Sequence, residues 1–164
     1  MVTLWSPNVQ EPLVKMLCHK SAIKSLAIDQ TGNYLVTSGL DHLMNIWDLR
    51  TFKQLRSVKI SAGASSLAFS QKKFIAAGLR NEIVVFKNDL VNTGSNYDEE
   101  SQEQLVEILS DKDVYLKSRL NNASIQNLQF CPFEDVLGVG HGTGISSLLV
   151  PGNYSLMLCS FVNI

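Results

Sequence analysis

The sequence is short of most of what a catalytic or metal-binding centre is built from. It has three cysteines, Cys18, Cys131 and Cys159, and no two of them form a CxxC pair. An odd, scattered set of this kind points to reduced thiols in an intracellular compartment rather than a disulfide frame. There are only three histidines, and no cluster of Cys and His has the spacing of metal ligands. No Ser, His and Asp set follows a nucleophile elbow. No stretch of 18 apolar residues occurs, so no membrane-spanning helix is expected. Met1-Val2-Thr3-Leu4-Trp5-Ser6-Pro7 lacks the basic start and apolar core of a signal peptide. Helical periodicity is almost missing as well. These absences lead us to expect no catalytic residues, no cofactor, no metal, no membrane contact and no small-molecule substrate: a protein that binds rather than an enzyme.

Gly138, Gly140, Gly142 and Gly144 flank His141 and invite comparison with a phosphate loop. Their spacing fits neither GxGxxG nor GxxxxGK[ST], and no helix is expected after them. A tight turn between two strands is the better reading.

What is present is the composition of a globular domain, with 45% hydrophobic and 18% charged residues. The net charge of −1 names no partner, but its distribution is uneven. Residues 1–87 carry eleven Lys and Arg against five Asp and Glu, whereas 88–113 carry one Lys against eight acids. A basic body with an acidic insertion suits acidic partners such as RNA, and equally suits a solvated surface with a solvated loop.

The dominant signal is a repeat. Ile23-Lys24-Ser25-Leu26-Ala27-Ile28 leads through a polar turn to Tyr34-Leu35-Val36-Thr37-Ser38-Gly39. Ala64 to Phe69 leads likewise to Phe74 to Gly78, and Ile125 to Phe130 leads to Val136 to Gly140. Each is a pair of short strands around a tight turn, as in an antiparallel meander. Third strands follow at Leu43 to Asp48, Glu82 to Lys87 and Ile145 to Val150, with Val2 to Ser6 as the same strand of an earlier copy. Trp5 to Trp47 is 42 residues and Trp47 to Phe86 is 39, close to the roughly 40–45 residues of one four-stranded propeller blade. Fourth strands then fall at Pro12 to Cys18, Lys53 to Ile60 and Val114 to Lys117. The fold expected is all-β, a partial β-propeller of about three to four blades over residues 1–152, opening mid-blade, with an acidic inserted loop at 88–113 and a divergent tail at 153–164. Within the insertion, Leu105, Ile108 and Leu109 have the spacing of one amphipathic helical turn, so a mobile loop or a docking helix is expected there.

The copy from His19 to Asp48 resembles a WD repeat. His19 stands where the family has its Gly-His pair, with Cys18 in place of the glycine, and Trp47-Asp48 closes the third strand. The resemblance implies a hydrogen-bonded chain of His19, Ser38, Asp41 and Trp47 that pins the loop entering the blade to the turn inside it. The second copy has Ala77, Arg80 and Phe86 at the matching places and cannot make it.

Other runs resemble one branch of that family, the nucleolar U3-associated WD-repeat proteins of the small-subunit processome. They are Val2 to Asn8, Thr37 to His42, Ile46 to Lys53, Ser147 to Gly152 and above all Phe130 to His141. The resemblance covers roughly residues 2 to 152. It implies a non-catalytic scaffold in the nucleus and nucleolus, acting in pre-rRNA processing and 40S subunit assembly. Its partners would be other processome proteins and the U3 snoRNA and pre-rRNA particle, with direct RNA contact open. Lys20, Lys24, Arg50, Lys53, Arg56 and Lys59 lie in or beside turns and outer strands and form the candidate interaction surface. Trp47-Asp48-Leu49-Arg50 also resembles the box of propellers that serve as substrate receptors of cullin-type ubiquitin ligases. For Arg50, the simpler expectation is an ion pair with Asp48.

Overall fold

Each copy of the repeat folds as one antiparallel meander, because alternating apolar side chains need two faces and the Gly- and Asp-bearing turns are short enough to reverse the chain. The computed structural model describes residues 1–87, 106–108, 114–120, 123–132, 136–151 and 162–163. β1 (Val2–Leu4) and β2 (Val14–Met16) form an outer pair. β3 (Ile23–Ile28), β4 (Tyr34–Gly39), β5 (Leu43–Asp48) and β6 (Lys53–Lys59) form the first complete blade. β7 (Ser66–Phe69), β8 (Ile75–Leu79) and β9 (Glu82–Phe86) begin the second. After β10 (Val106–Ile108), β11 (Val114–Arg119) supplies its outer strand. β12 (Ile125–Phe130), β13 (Val136–His141), β14 (Gly144–Leu149) and β15 (Val162–Asn163) form the third. The described residues form an all-β partial propeller: three four-stranded blades preceded by the outer pair of another.

The strand parity shows how the blades stack. Successive residues of a strand face opposite sides, so a blade with a neighbour on each side buries both faces. β9 is buried throughout. Its Val84 and Phe86 join Val36, Met44, Ile46 and Val58 of the first blade, while Ile83 and Val85 join Leu128, Leu137, Val139 and Leu148 of the third. On β4, Val36 faces the second blade and Leu35 faces Met16 and Cys18 of the β1–β2 pair. Each fully buried Val, Leu, Ile or Phe contributes roughly 1.5–3 kcal/mol.

One expectation about the insertion is corrected. Val106–Ile108 is a strand and not part of a helical turn, and it lies parallel to Ser57–Lys59 at the outer edge of β6. Three residues can end an unfilled ladder, whereas a helix so short buries almost nothing. Leu105 and Leu109 fall outside the described residues, as do Phe133 to Asp135 of the most specific sequence run and most of the 153–164 tail. Of that tail, Val162–Asn163 pairs with Ser146 and Ser147 of β14, where a fourth strand belongs.

Candidate functional site

His19 lies in the connection from β2 to β3, Thr37 on β4, and Asp41 in the turn from β4 to β5. The His19 ring is buried, with Nδ1 3.0 Å and 3.1 Å from the two carboxylate oxygens of Asp41. Nε2 lies 2.9 Å from the Thr37 hydroxyl. A ring nitrogen facing a carboxylate carries the hydrogen, so Nδ1 donates to Asp41 and the Thr37 hydroxyl donates to Nε2. The turn is held further: the Leu43 amide donates to Asp41 Oδ1 (3.3 Å) and the Asp41 amide donates to Ser21 Oγ (2.9 Å). Gly39 makes this approach possible. A Cβ there would stand 2.6 Å from Asp41 Oδ1 and 2.8 Å from His19 Nδ1.

Of the four residues expected to form one chain, the structure joins His19 and Asp41 and leaves Ser38 and Trp47 out. Thr37 takes the place given to Ser38. Neighbouring strand residues point to opposite faces, and it is Thr37 that points toward the entering loop. Ser38 instead accepts a hydrogen bond from the Ala64 amide of the next blade at 2.9 Å. Trp47 packs beside Leu35 and Met16, and its Nε1 has no hydrogen-bond partner. A second polar chain runs beside the first: Asn45 Nδ2 donates to the Cys18 carbonyl (2.7 Å) and Ser57 donates to Asn45 Oδ1 (2.7 Å).

Sequence reasoning missed the bonds that join blades. Ser25 donates to the Ala64 carbonyl at 2.8 Å, and Lys24 Nζ donates to the Gly63 carbonyl at 3.2 Å. One blade further on, Ser65 donates to the Ile125 carbonyl at 2.9 Å, and the Leu128 amide donates to Ser66 at 3.1 Å. The recurring Ser at the start of each inner strand was the available signal. Two buried-edge ion pairs stand out electrostatically. The Arg50 guanidinium, hydrogen-bonded to Asp48 at 3.0 Å and 3.1 Å, holds the Asp48 carboxyl below its usual range and has its own pKa raised. It also lies over the Tyr34 ring. In the second blade Arg119, then Lys117 at 3.2 Å, lower the Glu82 carboxyl in the same way. Burial raises the Cys18 thiol, which suits a structural rather than a reactive cysteine.

The six basic residues do not converge on one patch. Lys59 pairs with Leu43 and Ile23 with Gly39, which puts Lys20, Lys24 and Lys59 at one end of the first blade. Lys53 pairs with Asp48, which puts Lys53 and Arg50 at the other end. The six steps of β6 between Lys53 and Lys59 separate the two groups by about 20 Å. Lys20, Lys53 and Lys59 are exposed, Arg56 is half-buried, and Arg50 is held by Asp48. The ubiquitin-ligase reading needs an Arg50 available to an adaptor and gains no support. Among the described residues no group of three or more His, Cys, Asp or Glu could hold a metal ion.

Comparison with known proteins matches residues 10–48 to the WD domain, G-beta repeat family, and residues 114–158 to the BING4CT (NUC141) domain. The second match passes Gly152, where the sequence resemblance was expected to stop. WD repeat-containing protein 46 of Mus musculus is 46% identical over 152 residues, covering 92% of this chain and 22% of that protein. U3 small nucleolar RNA-associated protein 7 of Saccharomyces cerevisiae is 37% identical over 152 residues, covering 92% of this chain and 27% of that protein. The chain thus spans between a fifth and a third of the length of these relatives. The crystal structure of RRP9 WD40 repeats superposes with a TM-score of 0.65 at 14% identity, over 88% of this chain and 38% of that one, which speaks to fold alone. Residues 10–48 thus carry a WD repeat, and each complete copy of the repeat in the chain folds as one four-stranded blade.

Proposed function

We propose that this chain is a segment of a non-catalytic scaffold of the small-subunit processome, acting in pre-rRNA processing and 40S subunit assembly in the nucleolus. The observation that carries this reading is the 37% identity along 92% of the chain to a protein named for its association with the U3 small nucleolar RNA. The fold fits such a role. Blades that bury both faces and are bonded to each other hold their loops at fixed spacing, and a fixed set of loops suits an assembly platform. Partners are other processome proteins and the particle of U3 snoRNA and pre-rRNA. The Lys20, Lys24 and Lys59 end of the first blade contacts phosphates there, which gives affinity without sequence specificity.

The test follows U3 RNA co-purification and small-subunit rRNA processing with the full-length protein. Replacing Lys20 and Lys59 by Glu should weaken co-purification and slow processing, while Lys53→Glu at the opposite end should do neither. The fold should be little affected, because exposed charges contribute little to stability. A folded Lys20 and Lys59 variant that enters the particle normally would remove the phosphate contact. Absence of the unsubstituted protein from the U3 particle would remove the scaffold reading itself.

A further inference from the structure

β6 is the outer strand of its blade, and an outer strand presents a row of unpaired amides and carbonyls that invites another chain. Part of this row is filled. Val106, Glu107 and Ile108 lie parallel to Ser57, Val58 and Lys59, whereas the other paired strands described are antiparallel. The pairing crosses between blades. The segment leaves from the second blade after β9, adds to the first blade, and returns to the second as β11. A parallel neighbour cannot come from a hairpin and needs a long crossover, which the insertion between Phe86 and Val114 supplies. Charge favours the same match. The acceptor strand carries Lys53, Arg56 and Lys59, and residues 88–113 carry eight acids and one Lys.

We propose that the outer edge of β6 is a strand-acceptor site for an extended acidic peptide, occupied in this chain by its own Val106–Ile108. A partner protein with an extended acidic segment takes the edge only by displacing that strand. Backbone bonds supply the affinity and the flanking cations favour acidic sequences, as in strand addition elsewhere. The inference rests on the sheet pairing and the charge pattern, and holds whatever particle the protein enters.

Hydrogen exchange and peptide binding on the full chain test it. Val106→Pro with Glu107→Pro removes the amide of either parity, whichever faces β6. Exchange in the 53–59 segment should then quicken on the order of tenfold, with β4 and β8 unchanged. A synthetic peptide of residues 98–111 should bind the proline variant on the order of tenfold more tightly than the unsubstituted chain, and should restore the lost protection. A scrambled peptide of the same composition should bind both weakly and restore nothing. Unchanged exchange in the proline variant would overturn the occupancy. Equal binding of the ordered and scrambled peptides would reduce the site to charge attraction and overturn the strand-acceptor claim.

Discussion

Thr37→Val tests the geometry of the first blade most directly. Valine keeps the volume and β-branched shape of threonine, so no cavity opens and strand preference is retained. What disappears is the hydroxyl 2.9 Å from His19 Nε2. Nδ1 remains fixed by Asp41, so the ring cannot turn its bare nitrogen toward another partner, and with His19 only 5% exposed water does not replace the bond. Leaving one buried acceptor unpaired costs roughly 1–3 kcal/mol. For a chain of this size each kcal/mol lowers Tm by about 2–4 °C, so a loss near the middle of that range lowers it by about 4–8 °C. Urea unfolding should show a lower midpoint with an unchanged slope, since the surface exposed on unfolding is the same. Trp47→Phe is the companion variant. Trp47 Nε1 has no partner, so this change removes ring contacts and no hydrogen bond. A double-mutant cycle of Thr37→Val with Asp41→Asn should be non-additive, because both act on one ring. A wild-type midpoint for Thr37→Val, with strict additivity in the cycle, would refute the His19–Thr37–Asp41 chain and reopen one that runs through Ser38.

Glycine replacements should rank by what they strike. Gly63→Ala puts a Cβ 2.6 Å from the Gly39 carbonyl oxygen, which is backbone, and should lower the thermal midpoint more than Gly78→Ala, whose Cβ would meet the methyl of Ile125 Cγ2 at 2.7 Å. Ser65→Ala removes the donor to the Ile125 carbonyl and should cost about 0.5–1.5 kcal/mol in urea unfolding, with amide exchange quickened in β12. The lowered Asp48 and Glu82 carboxyls stabilise the fold above their unfolded pKa values of about 4, and that contribution is lost as pH falls through the lower folded values. Arg119→Gln should therefore flatten the acid limb of a stability-against-pH curve, and an unaltered limb would show that Arg119 does not set the Glu82 titration.

The sequence made the strands legible because their alternation is local. Tyr34 to Gly39, Leu43 to Asp48 and Ile125 to Phe130 have the expected bounds. His19 and Asp41 were legible too, since each sits at a loop position that the repeat fixes. Thr37 was not. The choice between Thr37 and Ser38 is one of strand facing, and facing depends on register: β3 bulges between Ile23 and Ser25 against β4, and β6 shifts between Ile46 and Trp47 of β5. A one-residue shift exchanges the two faces, and no local pattern reports it. The strand at Val106–Ile108 was illegible for a different reason. Its conformation follows from the open edge of β6, about fifty residues earlier in the chain, so the apolar spacing around Ile108 suggested a helical turn instead. The division of five of the six basic residues between two ends of a blade, with Arg56 in mid-strand, is likewise a property of pairing, invisible in a charge count.

The serine bonds between blades also govern the order in which the chain becomes structured during synthesis. Ser25 finds its acceptor at Ala64, 39 residues later, and Ser65 finds its own at Ile125, 60 residues later. At a translation rate of about 5–20 residues per second, the inner strand of a blade waits about 2–12 seconds for the carbonyl that its serine bonds. During that interval its leading face is bare, and the nascent chain is exposed to chaperones and to mispairing with other propellers. The longer wait belongs to the second blade, whose connection carries the insertion. Silent codon changes that slow translation through residues 88–125 should therefore lower the yield of soluble protein more than the same slowing before residue 60.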